Sequence, residues 1–409
     1  MSSHRKRSCS LLWLIKGRET VMNNKTVKMD MKQYGMFFAL IVIYLVFAIL
    51  TKGANLTPMN INNLIMQNGY VVILAIGMLL CVLTGNIDLG VGSVVAVTGS
   101  FAGIIMMDYK MNMWVAIAVA LLVGLLVGIF AGFFIAYLGI PPFVTTLATM
   151  LMGRGLTYTL LQAQTKGPFD QSYNFIGAGF LPVIKIPFAD GTLDLISIFV
   201  AIAASVILIF SEVKSNATKK KYNFATNPTW QIVLKLAVML FIIWFFFYKL
   251  ARYNGLPFVL LIMVILIVIY GFITSKTVAG RQIYALGGNR KAANLSGIDT
   301  NKVFFWVYVN MGVLSAIAGI VLSARNGSAT PKAGDGFEMD AIASCYIGGA
   351  AVAGGAGTIV GAVVGAFIMG ILNNGMSLFG WSTDIQKIVK GAVLLGAVTL
   401  DVLSKRKKG

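Results

Sequence analysis

Apolar runs about as long as a bilayer is thick recur along this chain, and no other feature restricts its fold so sharply. "MFFALIVIYLVFAIL" (36–50), "WVAIAVALLVGLLVGIFAGFFIAYL" (114–138) and "LPFVLLIMVILIVIYGFI" (256–273) are the clearest. About 20 such residues in a helix cross the hydrocarbon core. Within lipid, only helices and closed barrels satisfy every backbone N–H and C=O, and these runs lack the alternation of a barrel strand. Only 11% of the residues are charged, where soluble domains carry about 25%. The reading is an all-α, polytopic helical membrane protein of about ten to twelve transmembrane or half-membrane helices in two related halves.

Spans are expected near 33–51, 62–83, 89–107, 113–138, 143–162, 193–211, 231–249, 256–275 and 303–323. Residues 341–403 hold a further apolar hairpin and a last helix. Whether the short, glycine-rich 341–355 crosses the membrane or only enters it decides the count.

The formal net charge is +19, from 33 Lys and Arg against 14 Asp and Glu. Its placement argues against a nucleic-acid partner. Basic residues collect in 1–32, in "KKKY" (219–222), in 276–302 and in "KRKK" (405–408), segments that the spans put on one side. Loops on the other side, 163–192 and 324–340, balance Lys and Arg with Asp and Glu. This positive-inside pattern predicts a protein of the cytoplasmic membrane with both termini cytoplasmic. Three regions follow: a cytoplasmic basic tail (1–32), a transmembrane domain (33–404) and a basic cytoplasmic end (405–409). The opening "MSSHRKRSCSLLWLIKGRETV" (1–21) lacks the cleavage site of a signal peptide and is too short to span. It is expected to be an unstructured tail, with Met22 as an alternative start.

Cys9, Cys81 and Cys345 form neither a metal-ligand spacing nor a disulfide framework; the latter two read as small packing residues. His4 stands alone in the tail. No catalytic cluster is visible, and no cofactor or metal is expected.

Two stretches interrupt the apolar pattern. "TGNIDLGVGSVVAVTGS" (84–100) and "IGGAAVAGGAGTIVGAVVGAFIMGIL" (347–372) are both broken by glycine. Matching breaks in two halves point to a transporter built from repeats, with its path between them. The competing reading is coincidence, because glycine is common in membrane helices. Charges inside the membrane are functional candidates, since each costs about 2.5–3.5 kcal/mol at the centre. Asp88 lies in the first break, where capping the next helix is the favoured account. Asp340 opens a later helix and is given the same role. Arg154 either binds carbonyls at a helix end or lines a path. Most other acidic residues sit in loops or at helix ends, which weakens an ion-coupled mechanism, and no channel filter or charged ring is present.

The basic loop reads "GRQIYALGGNRKAANLSGI" (280–298). It lacks the residue order of a Walker loop, and no strand precedes it, so nucleotide binding is a poor reading. "GGN" (287–289) signals a turn, "RKAANLS" (290–296) a short helix and Gly297 its end. Such a helix suits docking to another protein. A solvated spacer explains the composition equally well.

These motifs together resemble the membrane subunits of sugar-importing ABC transporters of the ribose/xylose and multiple-monosaccharide group. The likeness rests on the basic loop, on "TGNIDLGVGS" (84–93), and on "EMDAIASCYIGGAAVAGGAGTIVGAVVGAFIMGILNNGMSL" (338–378) with "QKIVKGAVLLGAV" (386–398). It runs in order through most of 33–403. Gly90 and Asn86 depart from residues common in that group, and the loop 212–230 has no counterpart role, which leaves the sugar open.

The resemblance implies a homodimer that carries a monosaccharide, xylose or a related pentose or hexose, by alternating access. Its partners would be a separate ABC ATPase subunit and a periplasmic or lipid-anchored sugar-binding protein. The loop 276–302 would couple to the ATPase through Arg281, Tyr284, Gly287, Asn289, Arg290, Ala292 and Ala293. Path candidates are Asn86, Asp88, Arg154, Asn373 and Asn374. An ion-coupled secondary sugar transporter is the alternative.

Overall fold

The computed structural model describes residues 31–188, 191–222 and 229–406. The tail before Met31, with His4 and Cys9, and the basic end from 407 lie outside them. The described chain forms fifteen helices and a single two-stranded hairpin, β1 (Lys185–Phe188) with β2 (Gly191–Asp194).

The first helices are α1 (Met31–Leu50), α2 (Pro58–Leu83), α3 (Val91–Met107), α4 (Met113–Ala136), α5 (Pro142–Leu161) and the short α6 (Gln171–Ala178). After the hairpin come α7 (Leu195–Lys221), α8 (Thr229–Ala251), α9 (Phe258–Lys276), α10 (Val278–Gly288) and α11 (Arg290–Leu295). The chain ends with α12 (Thr300–Asn326), α13 (Phe337–Ile347), α14 (Ile359–Leu378) and α15 (Thr383–Arg406). Among the described residues, α2, α4, α7, α8, α9, α12 and α14 are long and apolar enough to cross a membrane, and α1 and α3 are shorter apolar helices. The expected spans coincide with helices to within a few residues, with one exception. α7 runs on to Lys221, so the first part of the loop expected at 212–230 is helical. Hydropathy marks where a chain leaves lipid, and the helical hydrogen-bond ladder continues beyond that point through residues that tolerate a helix.

Residues 197–248 form a compact unit of their own. Within it, Lys235 on α8 donates to Glu212 on α7 at 2.9 Å.

The second unit holds residues 32–196 and everything described after 249. Its most buried spans are α2, α12 and α14. α4 lies against α12 because small residues recur every fourth position along its inner face, at Ala116, Ala120, Gly124, Gly128 and Gly132. A Cβ on Gly312 of α12 would come within 2.3 Å of the Gly124 carbonyl oxygen, so the backbones touch. Small residues at this spacing let membrane helices associate by close packing.

Among the non-helical stretches of this unit are 84–90, 327–336 and 348–358. The segment 324–340 was expected to be an external loop. Its residues near Gly334 reach the start of α3, where a Cβ on Gly334 would lie 2.0 Å from the Gly92 carbonyl oxygen. The φ angles of Gly334 and Gly336, +70° and +78°, let the chain turn there and begin α13. Phe337, the first residue of α13, stacks on Tyr70 midway along α2, with centroids 4.0 Å apart and planes 15° apart. α13 has 11 residues. At about 1.5 Å per residue it is about 16 Å long, roughly half of a hydrocarbon core about 30 Å thick. The helix 337–347 is therefore about half a crossing long, and the stretch 341–355 holds only its last seven residues before the chain leaves the helix at Gly348.

Candidate functional site

Two places in the second unit carry the residues singled out by the sequence: the junction where α3 and α13 begin, and the surface pair α10–α11.

At the junction, two helices start inside the bundle with their free N–H groups directed into it. Asp88 accepts a hydrogen bond from the Gly90 N–H at 2.8 Å. Gly90 holds the cap position of α3, so Asp88 closes the turn before the helix and does not cap it. Its role is still a backbone one. Asn86 is half-buried and its side chain donates to Thr84 in the same turn, at 3.2 Å to the carbonyl oxygen. Arg154 donates to the carbonyl of Ala333, the carbonyl-binding reading of that residue.

The expected capping role of Asp340 is wrong. The cap position of α13 belongs to Gly336, and Asp340 lies in the helix at 1% exposure. One carboxylate oxygen accepts from Lys390 Nζ on α15 at 3.0 Å and from Asn373 Nδ2 on α14 at 3.2 Å. The other, Oδ1, is buried with no partner, as is Asn373 Oδ1. Asn374 exchanges hydrogen bonds with Asn60 at 2.9 and 3.1 Å and donates to Gln67 at 3.1 Å, both on α2. A polar cluster thus joins α2, α13, α14 and α15. Two acceptors within it, Asp340 Oδ1 and Asn373 Oδ1, have no hydrogen-bond partner. Buried acceptors left unmade cost about 1–3 kcal/mol each. Sequence reasoning missed Lys390, Tyr70 and Phe337. Lys390 is the last charge before the apolar run 391–400 of α15, one turn past Lys387, so its depth was not marked by the sequence.

The surface pair follows α9. Thr277 accepts from Gly280 N–H to start α10, and Asn289, in extended backbone at φ −161°, accepts from Ala292 N–H to start α11. Gly297, at φ +82°, ends the turn, and Asp299 caps α12 by accepting from Lys302 N–H at 3.1 Å. That backbone N–H holds the Asp299 carboxyl below the usual carboxylate range. The short helix expected at 290–296 is present as Arg290–Leu295, but 287–289 is not a simple turn, because α10 continues to Gly288.

α10 buries Ile283 and Leu286 and is pinned to the breaks beneath it. Tyr284 donates to the Gly357 carbonyl at 2.7 Å, and burial raises its phenol pKa. Gly287 lies so close to the end of α2 that a Cβ would be 1.7 Å from the Leu83 carbonyl oxygen. That same oxygen accepts from the Gly355 N–H at 2.9 Å. The breaks 84–90 and 348–358 also touch each other, with a Cβ on Gly354 falling 2.7 Å from Gly85 N. Tyr284, Gly287 and the buried Ala293 therefore face inward. Arg281 and Ala292 face outward, and Arg290 lies over the Phe304 ring at 4.9 Å. Leu295 was not singled out by the sequence, yet it is 90% exposed at the end of α11.

A helical membrane bundle with a half-length helix starting beside a second helix start inside it, and a surface helix joined to its breaks, is the build of a permease. The chain belongs to the family described as the branched-chain amino acid transport system / permease component, which it matches over residues 60–398. It is 36% identical over 383 residues to the xylose transport system permease protein XylH of Haemophilus influenzae, covering 94% of this chain and 99% of that protein. Its identity to XylH of Escherichia coli K12 is also 36%, over 93% of this chain and 94% of that one. The ribose import permease protein RbsC of Bacillus subtilis is 34% identical, over 91% and 93%. No solved structure matches the chain.

Proposed function

We propose that this chain is the membrane subunit of an ATP-driven importer that carries a monosaccharide, xylose or a related pentose or hexose, into the cell. The similarity to permeases named for xylose and ribose supports the substrate class. One observation carries the coupling: the hydrogen bond from Tyr284 to Gly357 joins α10 to the break beneath it. In this reading an ABC ATPase docks on the outward side of α10–α11, at Arg281, Arg290, Ala292 and Leu295, with Asn289 holding α11 in register. Motion of α10 passes through Tyr284 and Gly287 to the breaks 84–90 and 348–358. The contact of Gly92 with Gly334 then opens alternately to either side. Asp340 and Asn373 supply acceptors to sugar hydroxyls, and Asn86, Asp88, Arg154 and Asn374 shape the adjoining turns and helices. A second copy of the chain completes the path, and a periplasmic or lipid-anchored binding protein brings the sugar. Both termini are cytoplasmic, and the chain itself holds no catalytic group.

The test is co-expression with a candidate ATPase subunit. The wild type is expected to retain the ATPase on purification and to support ATP-dependent sugar uptake in vesicles. Leu295→Asp with Arg281→Glu is expected to lose the ATPase while inserting normally. Retention by this double variant would overturn the docking reading.

One observation favours a second reading. Asp88 and Asp340 are both buried, as the carboxylates of an ion-coupled transporter would be. Sugar uptake by the chain alone, driven by a proton or sodium gradient without ATP, would establish it.

A further inference from the structure

A cavity of about 390 Å³ lies between α9, α10 and α12, away from the junction. Ligand pockets run from about 300 to 1,000 Å³, so it is large enough to be occupied. Leu80, Ile273, Ile283, Val303 and Val307 make its walls apolar. Its floor is closed by Tyr270, which donates to the side-chain oxygen of Asn310.

The mouth is different. Gln282, Asp299 and Lys302 line it, at the level where α12 leaves the bundle. Lys302 and Asp299 pair at 3.4 Å, but both remain well exposed, so the pair is loosely held. Lys276 ends α9 and Arg281 precedes Gln282, and both are exposed. The lining itself carries one basic side chain, Lys302, beside one carboxylate, Asp299. The two further basic residues stand next to the lining in sequence, Lys276 between the lining residues Ile273 and Ala279 and Arg281 beside Gln282. From Lys302 to Asn310 the groove follows eight residues of helix, about 12 Å at 1.5 Å per residue. That is most of one leaflet of a hydrocarbon core about 30 Å thick. Trp306, 63% exposed, stands on its rim. Phe272 on α9 and Trp306 are both large and exposed, as residues turned toward lipid are. Tryptophan concentrates where headgroups meet acyl chains.

A site with an apolar shaft, an exposed lysine at its mouth and a tryptophan on its rim fits one class of ligand. We propose that the groove between α9, α10 and α12 binds an anionic phospholipid. One acyl chain lies along Ile273, Val303 and Val307, and the phosphate sits at Lys302. Because Ala279, Gln282 and Ile283 of α10 form one wall, the bound lipid braces the surface helix from the membrane side. A phosphate in reach of Lys302 competes with Asp299 for it, and the exposed Lys276 and Arg281 flanking the lining in sequence add positive charge on the same surface. Basic side chains near an anionic leaflet attract it by about 1 kcal/mol each.

The experiment uses the full chain purified in detergent, with phosphatidylglycerol and phosphatidylcholine as probes and native mass spectrometry as the readout. The wild type is expected to hold one phosphatidylglycerol per chain, at least tenfold more tightly than phosphatidylcholine. Lys302→Glu should abolish that preference without unfolding the protein, since Lys302 is exposed and an acidic residue suits the first turn of α12. Ala279→Phe fills the groove from an exposed position and should remove both lipids. Equal binding of the two lipids by the wild type, or an unchanged preference in Lys302→Glu, would overturn the proposal. So would a photocrosslink from position 279 to another segment of the chain in place of an acyl chain.

Discussion

Truncating Asp340 would leave the Lys390 ammonium without its carboxylate inside the bundle. Breaking a buried pair from one side costs about 3–5 kcal/mol, because the surviving charge stays desolvated. Asp340→Ala is therefore expected to lower the thermal stability of the purified protein sharply. Adding Lys390→Met removes the stranded charge and should restore most of it. Thermal unfolding in detergent measures both, and a double variant no better than the single one would show that the pair is not what holds α13 to α15. Asp88 answers to a different test. Its contact is one backbone N–H, which an asparagine oxygen also accepts. Asp88→Asn should keep sugar uptake and Asp88→Leu should lose it; loss with Asn at normal protein level would assign the charge a role of its own. Tyr284 is a third case. Tyr284→Phe keeps the ring and deletes one hydrogen bond, worth about 0.5–1.5 kcal/mol. Uptake should fall while the ATPase still co-purifies, since the hydroxyl bonds Gly357 and is not free for a partner. Unchanged uptake would mean that the break at 348–358 does not need this tether.

The helices differ in how much depends on their glycines, and two variants separate the cases. A leucine at Gly312 has no room, since even a Cβ would overlap the Gly124 carbonyl and the Gly128 backbone. Gly312→Leu should part α4 from α12 and leave little protein in the membrane. Gly271 on α9 has nothing within 4 Å of a Cβ, so Gly271→Ala should be neutral or stabilise by up to about 1 kcal/mol through helix propensity. Expression level and size-exclusion profile read both. Elements of this kind were legible beforehand, because lipid forces long apolar helices and α4 shows its small-residue stripe in the sequence. The α11 helix was legible too, from Asn289 and Gly297, whose roles are local. What sequence did not reveal depends on contacts far along the chain. Asp340 looks like a cap when only its neighbours are read, yet its partners Asn373 and Lys390 lie 33 and 50 residues away. The stretch 327–336 has the composition of any surface loop. Its descent to Gly92 is set by packing of one glycine backbone on another, which leaves no mark in hydropathy. Tyr284 was legible as part of the basic loop, but its inward direction was not, because α10 extends the helix that orients it.

At the scale of the whole chain, orientation in the membrane decides which face can meet an ATPase. Three contacts gather the candidate docking element, the inner breaks and the end of α15 on one side of the second unit. These are Tyr284 with Gly357, Gly355 with Leu83, and the Val352 N–H donating to Asp401 at 3.3 Å. The opposite side carries Lys166, paired with Asp108 on the α3–α4 turn and with its backbone bridged to Ala329. Basic residues concentrate on the α10–α11 side, and that asymmetry orients membrane proteins with the basic side in the cytoplasm. The expectation is therefore that Leu295 is cytoplasmic and Ser172 external. Cys81 and Cys345 are buried free thiols, so a Cys9→Ser background leaves few reactive sites. In that background an impermeant thiol reagent should label Ser172→Cys in intact cells, because Ser172 is exposed on α6. Leu295→Cys should label only after the cells are permeabilised. The reverse pattern would turn α10–α11 toward the outside, where no ATP is available, and the docking proposal would fall with it.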